Sequence, residues 1–300
     1  MLNSQFQHTS VHEHFPAPMP NYDAPHGVLA QKLERIEASL PMEPSEVDFD
    51  FRINPEQMAE KFGRVFHYFG RVEGEVALNV RQISSLLHYV DPTTKRFLDI
   101  WQAQELPHGQ IFDQAQEQIG VEPAAINAED VSAKFVLGGE LSRIPKMRDV
   151  LLLIYLGRGA MHERMTAEGY RLLKNQLTES GETGFVHTAI EPILKQEAGH
   201  LGYYKLAANI QKSRMSPRQL RAARLVNRLT YGPVGAANQA QQREFDSVTQ
   251  DLTGENLTLF AKPIQEVSKN IFEDQDDAEF VVTALSKYRA GRQLPAQIAA

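Results

Sequence analysis

Apolar residues recur at helical spacing over most of this chain. Phe66, Phe69, Val76, Val80 and Leu87 fall on one stripe, and the period predicts one long helix over about 55–90. "VDPTT" (90–94) then reads as a turn, with Asp91 as N-cap and Pro92 in the first turn of a helix that runs to about Gly120. "PAAINAED" (123–130) is a linker, and a helix near 129–139 follows. A second long periodic segment runs from about Ile144 to Ser180. "SGETG" (180–184) closes it with two glycines, as a helical hairpin does, and its partner spans about 185–213. Ser216 followed by Pro217 opens another helix, "TYGPVGAANQ" (230–239) is a loop, and two or three helices finish the chain. Upstream, a short helix covers 26–40 and an extended connector covers 45–53.

No βαβ rhythm and no solenoid repeat interrupts this pattern. The expectation is an all-α fold. Two hairpins, 55–90 with 93–119 and 144–180 with 185–213, form a four-helix bundle, and the remaining helices pack around it. Residues 29–300 form a single domain with the bundle at about 55–213. Residues 1–28, rich in Pro, His, Gln and Asn and without a period, form a flexible tail; its "VHEHF" (11–15) belongs to that tail.

Composition narrows the function classes. A net charge of −7 argues against a nucleic-acid binder. The absence of cysteine excludes disulfides, thiolate metal sites and cysteine nucleophiles, and it fits a reducing cytoplasm. The longest apolar run, Val150 to Leu156, is too short to span a bilayer, and the first residues lack the pattern of a secretory signal. A cytoplasmic protein is expected.

The chemistry lies in a repeated Glu-x-x-His. Glu105 and His108 stand in "WQAQELPHG", and Glu197 and His200 in "KQEAGHLGYY". Residues three apart share a helix face, so each pair can reach one ion. Each pair falls near the middle of the second helix of a hairpin. A dimetal site in a bundle needs one further carboxylate from each first helix, as far before the turn as the Glu-x-x-His lies after it. Glu163 meets that demand in the second hairpin, and Glu75 or Glu73 meets it in the first. Periodicity turns Glu73 inward, with Phe66, Phe69 and Val76. Four carboxylates carry a charge that two divalent ions cancel, and oxygen-rich ligation with one imidazole per ion suits iron or manganese better than zinc.

Four segments then carry a resemblance. "EVALNVRQ" (75–82), "WQAQELPHG" (101–109), "HERMT" (162–166) and "QEAGHLGYY" (196–204) are similar, in order and spacing, to the ligand segments of the ferritin-like di-iron carboxylate proteins. Within that superfamily they look most like the soluble acyl-carrier-protein desaturases. The resemblance covers about 55–213. It implies a ferritin-like bundle, two iron ions, and Glu75, Glu105, His108, Glu163, Glu197 and His200 as ligands. It places Trp101 one turn before a ligand and Thr166 near the oxygen site as catalytic residues. It also implies oxygen-dependent desaturation or hydroxylation of an acyl chain, an acyl carrier protein as substrate carrier, an electron donor such as ferredoxin, and a homodimer.

Two departures stand out. Gln196 occupies the place of the desaturases' aspartate, and Pro107 sits inside a ligand helix. The alternatives are an oxygenase of a small molecule, such as an arylamine N-oxygenase, and a non-enzymatic metal-binding bundle. The N-oxygenases add a histidine where this chain has Ile193, which counts against them. Gly157, Gly159 and Ala160, ahead of Glu163, either leave room for a chain or serve close helix packing. The segment 212–228 has six basic residues and no acidic one, and offers a docking face for an acidic carrier.

Overall fold

The computed structural model describes residues 23–87, 90–126, 133–254, 256–273 and 280–290; among them every regular element is helical. The predicted tail up to residue 22, with its "VHEHF", the second half of the predicted 123–130 linker and the start of the helix predicted near 129–139 lie outside the described residues. No helix among the described residues is long and apolar enough to cross a membrane.

The first element, α1 (Asp23–Glu37), begins ahead of the expected start at 26, so residues 23–28 belong to a helix and not to the tail. The connector after it is extended, with a single 3₁₀ turn at Pro44–Glu46. Its path is pinned by the buried Glu182, whose carboxylate accepts the backbone N–H groups of Arg52 and Ile53. Phe49 and Phe51 also pack on Phe185.

The first hairpin differs from expectation in one respect. The long helix over 55–90 is two helices, α2 (Pro55–Gly74) and α3 (Val76–Leu86), broken at Glu75, whose ψ of 0° leaves the helical range. The partner helix α4 (Pro92–Gln118) starts as predicted: Asp91 accepts the N–H groups of Thr93 and Thr94 at 3.0 and 3.1 Å. It continues through Pro107. Proline at that position removes the hydrogen bond to the carbonyl of Ala103, but Ala103 is exposed, so water can replace the lost donor.

Beyond α5 (Ala133–Ser142) comes the second hairpin. α6 (Pro145–Glu179) turns at Gly181, which has a φ of +86°. A single turn α7 (Thr183–Phe185) and one π-helical turn (Val186–Ile190) lead into α8 (Glu191–Ser213). α2 packs along α4, α6 along α8, and α4 meets α8. The remaining helices close the sides. α1 lies on α8 and α4. α9 (Pro217–Thr230) and α11 (Leu257–Phe272) lie on α6, α10 (Gln239–Thr253) lies on α2, and α12 (Phe280–Ala290) packs on α11. The capping box of Ser216 and Gln219 starts α9 where Ser-Pro predicted it.

Gly157 and Gly159 serve packing. A Cβ on Gly159 would stand 2.3 Å from the Tyr204 ring, and one on Gly157 would stand 2.5 Å from Phe272. The room these glycines leave is filled by aromatic rings and holds no open channel.

Candidate metal centre

Four helices bring six titratable side chains to one level of the core. Glu105 and His108 come from α4, Glu197 and His200 from α8, Glu163 from α6 and Glu73 from α2; all six are buried. They form two overlapping groups, Glu73, Glu105, His108 and Glu197, and Glu105, Glu163, Glu197 and His200. Within each group one ligand atom per residue lies within 4.8 Å of the others. These buried groups could hold a metal ion.

Glu75, the residue that the resemblance implied, is outside the cluster, and Glu73 takes its place. Residues two apart on a helix point about 200° away from each other, so only one of the pair can face α4. Glu75 also sits at the break between α2 and α3. It is held away from the core by Arg71 at 3.3 Å and by Gln241 of α10 at 3.3 Å. The inward stripe of Phe66, Phe69 and Val76 was the better guide. Glu73 and His108 come side by side because α2 and α4 touch at glycine. A Cβ on Gly109 would stand 2.9 Å from the backbone N of Gly74.

Glu105 lies at the centre. Its Oε1 is 2.9 Å from His200 Nδ1, and its Oε2 is 2.8 Å from His108 Nδ1. Glu197 Oε1 is 3.5 Å from His108 Nδ1, and Glu163 Oε2 is 3.7 Å from His200 Nδ1. Both imidazoles therefore aim Nδ1 inward. The carboxyls of Glu73 and Glu105 touch, as do those of Glu163 and Glu197. Two carboxyls at that range need a proton or a cation between them.

Without a cation, protons fill the role. Burial, reinforced by the charge of Glu105, raises the Glu73 carboxyl well above the usual range. Burial and the neighbouring Glu105, Glu163 and Glu73 do the same to Glu197. For Glu105 burial also pushes up, but the two imidazoles outweigh it and hold the carboxyl down. Burial pulls His200 down, yet Glu105 and Glu163 carry it up to about 9.

The donor set fits a metal on a further observation. His200 Nδ1 faces Glu105 and Glu163, and Glu197 Oε1 faces His108, so both buried atoms point into the cluster at other ligand-type atoms. Carboxylate and imidazole atoms gathered at this range in a buried core are a donor set that a bound cation would satisfy.

The outer nitrogens reveal a pair that sequence reasoning half missed. His108 Nε2 lies 2.7 Å from Gln196 Oε1, and His200 Nε2 lies 2.7 Å from Gln104 Oε1. Gln104 precedes Glu105 as Gln196 precedes Glu197, so the repeated unit is Gln-Glu-x-x-His. That five-residue match was the available signal.

Aromatic layers close both ends. On one side the Tyr170 hydroxyl donates to Glu73 Oε1 at 2.6 Å, under Phe69 and Phe112. On the other, Phe97 stacks on Tyr203 with ring centres 3.8 Å apart, and the hydroxyls of Tyr155 and Tyr204 meet at 2.9 Å. Trp101 belongs to this second layer. It is half-buried against Phe97 and Tyr204, and its buried Nε1 has no hydrogen-bond partner. Thr166 is buried one turn beyond Glu163. It lines a space of about 10 Å³ with Tyr68, Phe69, Val234 and Phe245, toward α10. Beyond the Phe97–Tyr203 layer lies a groove of about 340 Å³ lined by Leu152, Leu156 and Ala207 and by the charged Asp91, Arg148 and Asp149, among others. Leu156 and Ala207 are each seven residues, about 10 Å of helix, from the cluster residues Glu163 and His200.

Set against known proteins, this chain matches no protein-family model, no curated protein and no solved structure.

Proposed function

We propose that the cluster is a dinuclear metal centre in a ferritin-like four-helix bundle, and that the protein is an oxygen-dependent oxidoreductase. One observation carries the reading: Glu105 and Glu197 belong to both ligand groups, while each group has its own imidazole and its own further carboxylate. Glu73 and His108 would hold one ion and Glu163 and His200 the other, with Glu105 and Glu197 shared. Carboxylate-rich ligation with one imidazole per ion suits iron, with manganese next. The chemistry such ions supply is activation of dioxygen for oxidation of an unactivated C–H bond.

The chain's own residues prepare that chemistry. The carboxylates set the charge, the glutamines hold the imidazoles, and the aromatic layers keep water away. The substrate class we favour is an acyl chain, seated along the leucine-lined side of the groove and delivered by an acidic carrier protein. Of the basic segment 212–228, Lys212 and Arg224 are tied to the end of α11, donating to the carbonyls of Asn270 and Phe272. Arg218 and Arg221 are exposed on α9 and remain for docking. A ferredoxin-type donor would supply the electrons.

The test is iron and manganese content per chain after production with both metals supplied, followed by oxygen consumption with a reductant and an acyl-carrier substrate. About two ions per chain, lost in Glu105→Ala, is the expected result. A well-folded chain that carries no metal overturns the reading.

A further inference from the structure

The outer hydrogen bonds of the two histidines lead to the end of α1. Gln104 Nε2 donates to the carbonyls of Ile36, at 3.0 Å, and of Ser39. Gln196 Nε2 donates to the carbonyl of Leu40 at 2.7 Å. These carbonyls lie at and just beyond the C-terminus of α1, where a helix leaves its last carbonyls without intrahelical donors. Carbonyl oxygens only accept, so they settle which way each amide points: nitrogen toward α1, oxygen toward histidine. An amide oxygen also only accepts. The facing Nε2 of each histidine must therefore carry the hydrogen, and in a ring that binds a cation this leaves Nδ1 as the lone pair that the ion would take.

We infer that Gln104 and Gln196 are positioning residues for the metal centre, and that the C-terminal carbonyls of α1 set their polarity. The inference rests on the metal reading above. It adds that α1, which contributes no ligand, is part of the centre. The device is doubled across the core: the glutamine of α4 serves the histidine of α8, and the glutamine of α8 serves the histidine of α4. Each glutamine is buried and has both ends of its amide engaged. Glutamine is required for both halves of the task. A leucine offers neither half, and a glutamate keeps the acceptor for histidine but loses the donor for α1.

The experiment uses the full chain with ¹⁵N-labelled histidine, loaded with zinc as a diamagnetic ion. Two-bond ¹H–¹⁵N correlation spectra read which ring nitrogen carries the hydrogen. The expected result is Nε2–H for both His108 and His200, with Nδ1 shifted by the metal. Gln104→Leu and Gln196→Leu should each weaken zinc binding roughly 10- to 100-fold. Gln104→Glu and Gln196→Glu should recover most of that affinity, while the amides of α1 exchange faster with solvent. Hydrogen on Nδ1 in the wild-type chain, or leucine variants that bind zinc as the wild type does, overturns the inference and leaves the metal reading standing. A wild-type chain that takes up no zinc, iron or manganese overturns both.

Discussion

Tyr170 donates its hydroxyl hydrogen to Glu73 Oε1 at 2.6 Å, between two residues that are both buried. The bond joins α6 to α2 and gives Glu73 a fixed orientation beside Glu105. Burial, with Glu73 beside it, raises the Tyr170 hydroxyl far above its ordinary range, so the hydrogen stays on the tyrosine. Tyr170→Phe removes the donor and leaves a buried carboxyl with an unmet oxygen. It should cost about 1–3 kcal/mol of stability in urea denaturation of the metal-free chain. An unchanged midpoint would mean that the bond contributes nothing to the fold.

Glu73 and Glu75 make opposite predictions. Glu73→Ala should reduce bound metal, because a member of one ligand group is lost. Glu75→Ala should leave metal content at the wild-type level, because Glu75 faces Arg71 and Gln241. Metal analysis of the two purified variants decides between them, and the reverse order would restore Glu75 as the ligand.

The metal-free protein should lose stability as pH rises. Glu73, Glu197 and His200 bind protons more tightly in the fold than in the unfolded chain. A raised group contributes its stability below its unfolded value and loses it as pH climbs through the folded one. For His200 the window runs from about 6.5 to about 9. Glu105 is held low, so its contribution is lost only on the acid side. Melting temperature should therefore fall between about pH 6 and pH 9 without metal. The increment added by metal should grow over the same range, because the ion displaces those protons. Parallel melts with and without manganese read both slopes, and a rising metal-free slope contradicts the assignment.

Two glycines beside the histidines should behave differently. A Cβ on Gly109 runs into the Gly74 backbone, which cannot step aside. Gly109→Ala should cost about 1–3 kcal/mol and reduce metal binding by parting α2 from α4. A Cβ on Gly199 meets only Ile36 at 3.5 Å, an ordinary contact. Gly199→Ala should be neutral or should stabilise by up to about 1 kcal/mol through helix propensity. Chemical denaturation of both variants is the check.

Most of the cluster was legible because its geometry is local and periodic. A Glu-x-x-His is complete within one helical turn, and the distance of Glu163 from its hairpin turn follows from that of Glu197. Glu73 was harder. Motif likeness favoured Glu75, and the local sign of the break between α2 and α3 is a single glycine, Gly74, inside a periodic stretch. The burial of Gln104 was not legible, since its donors meet carbonyls 65 and 68 residues away, and no local pattern specifies such a contact. Nor could glycine spacing tell an open channel from a socket for Tyr204, because the ring comes from another helix.

The bond from Gln196 to Leu40 spans 156 residues. A chain made from its N-terminus has α1 in hand long before α8 exists, and contacts so distant in sequence are late to close. The cluster's outer shell therefore depends on contacts between the two ends of the helical core. Without α1 the two glutamines would lose the carbonyls that orient them, and the histidines their outer restraint. On the metal reading proposed above, maturation would have an order, with ions entering before the first helix closes over the core.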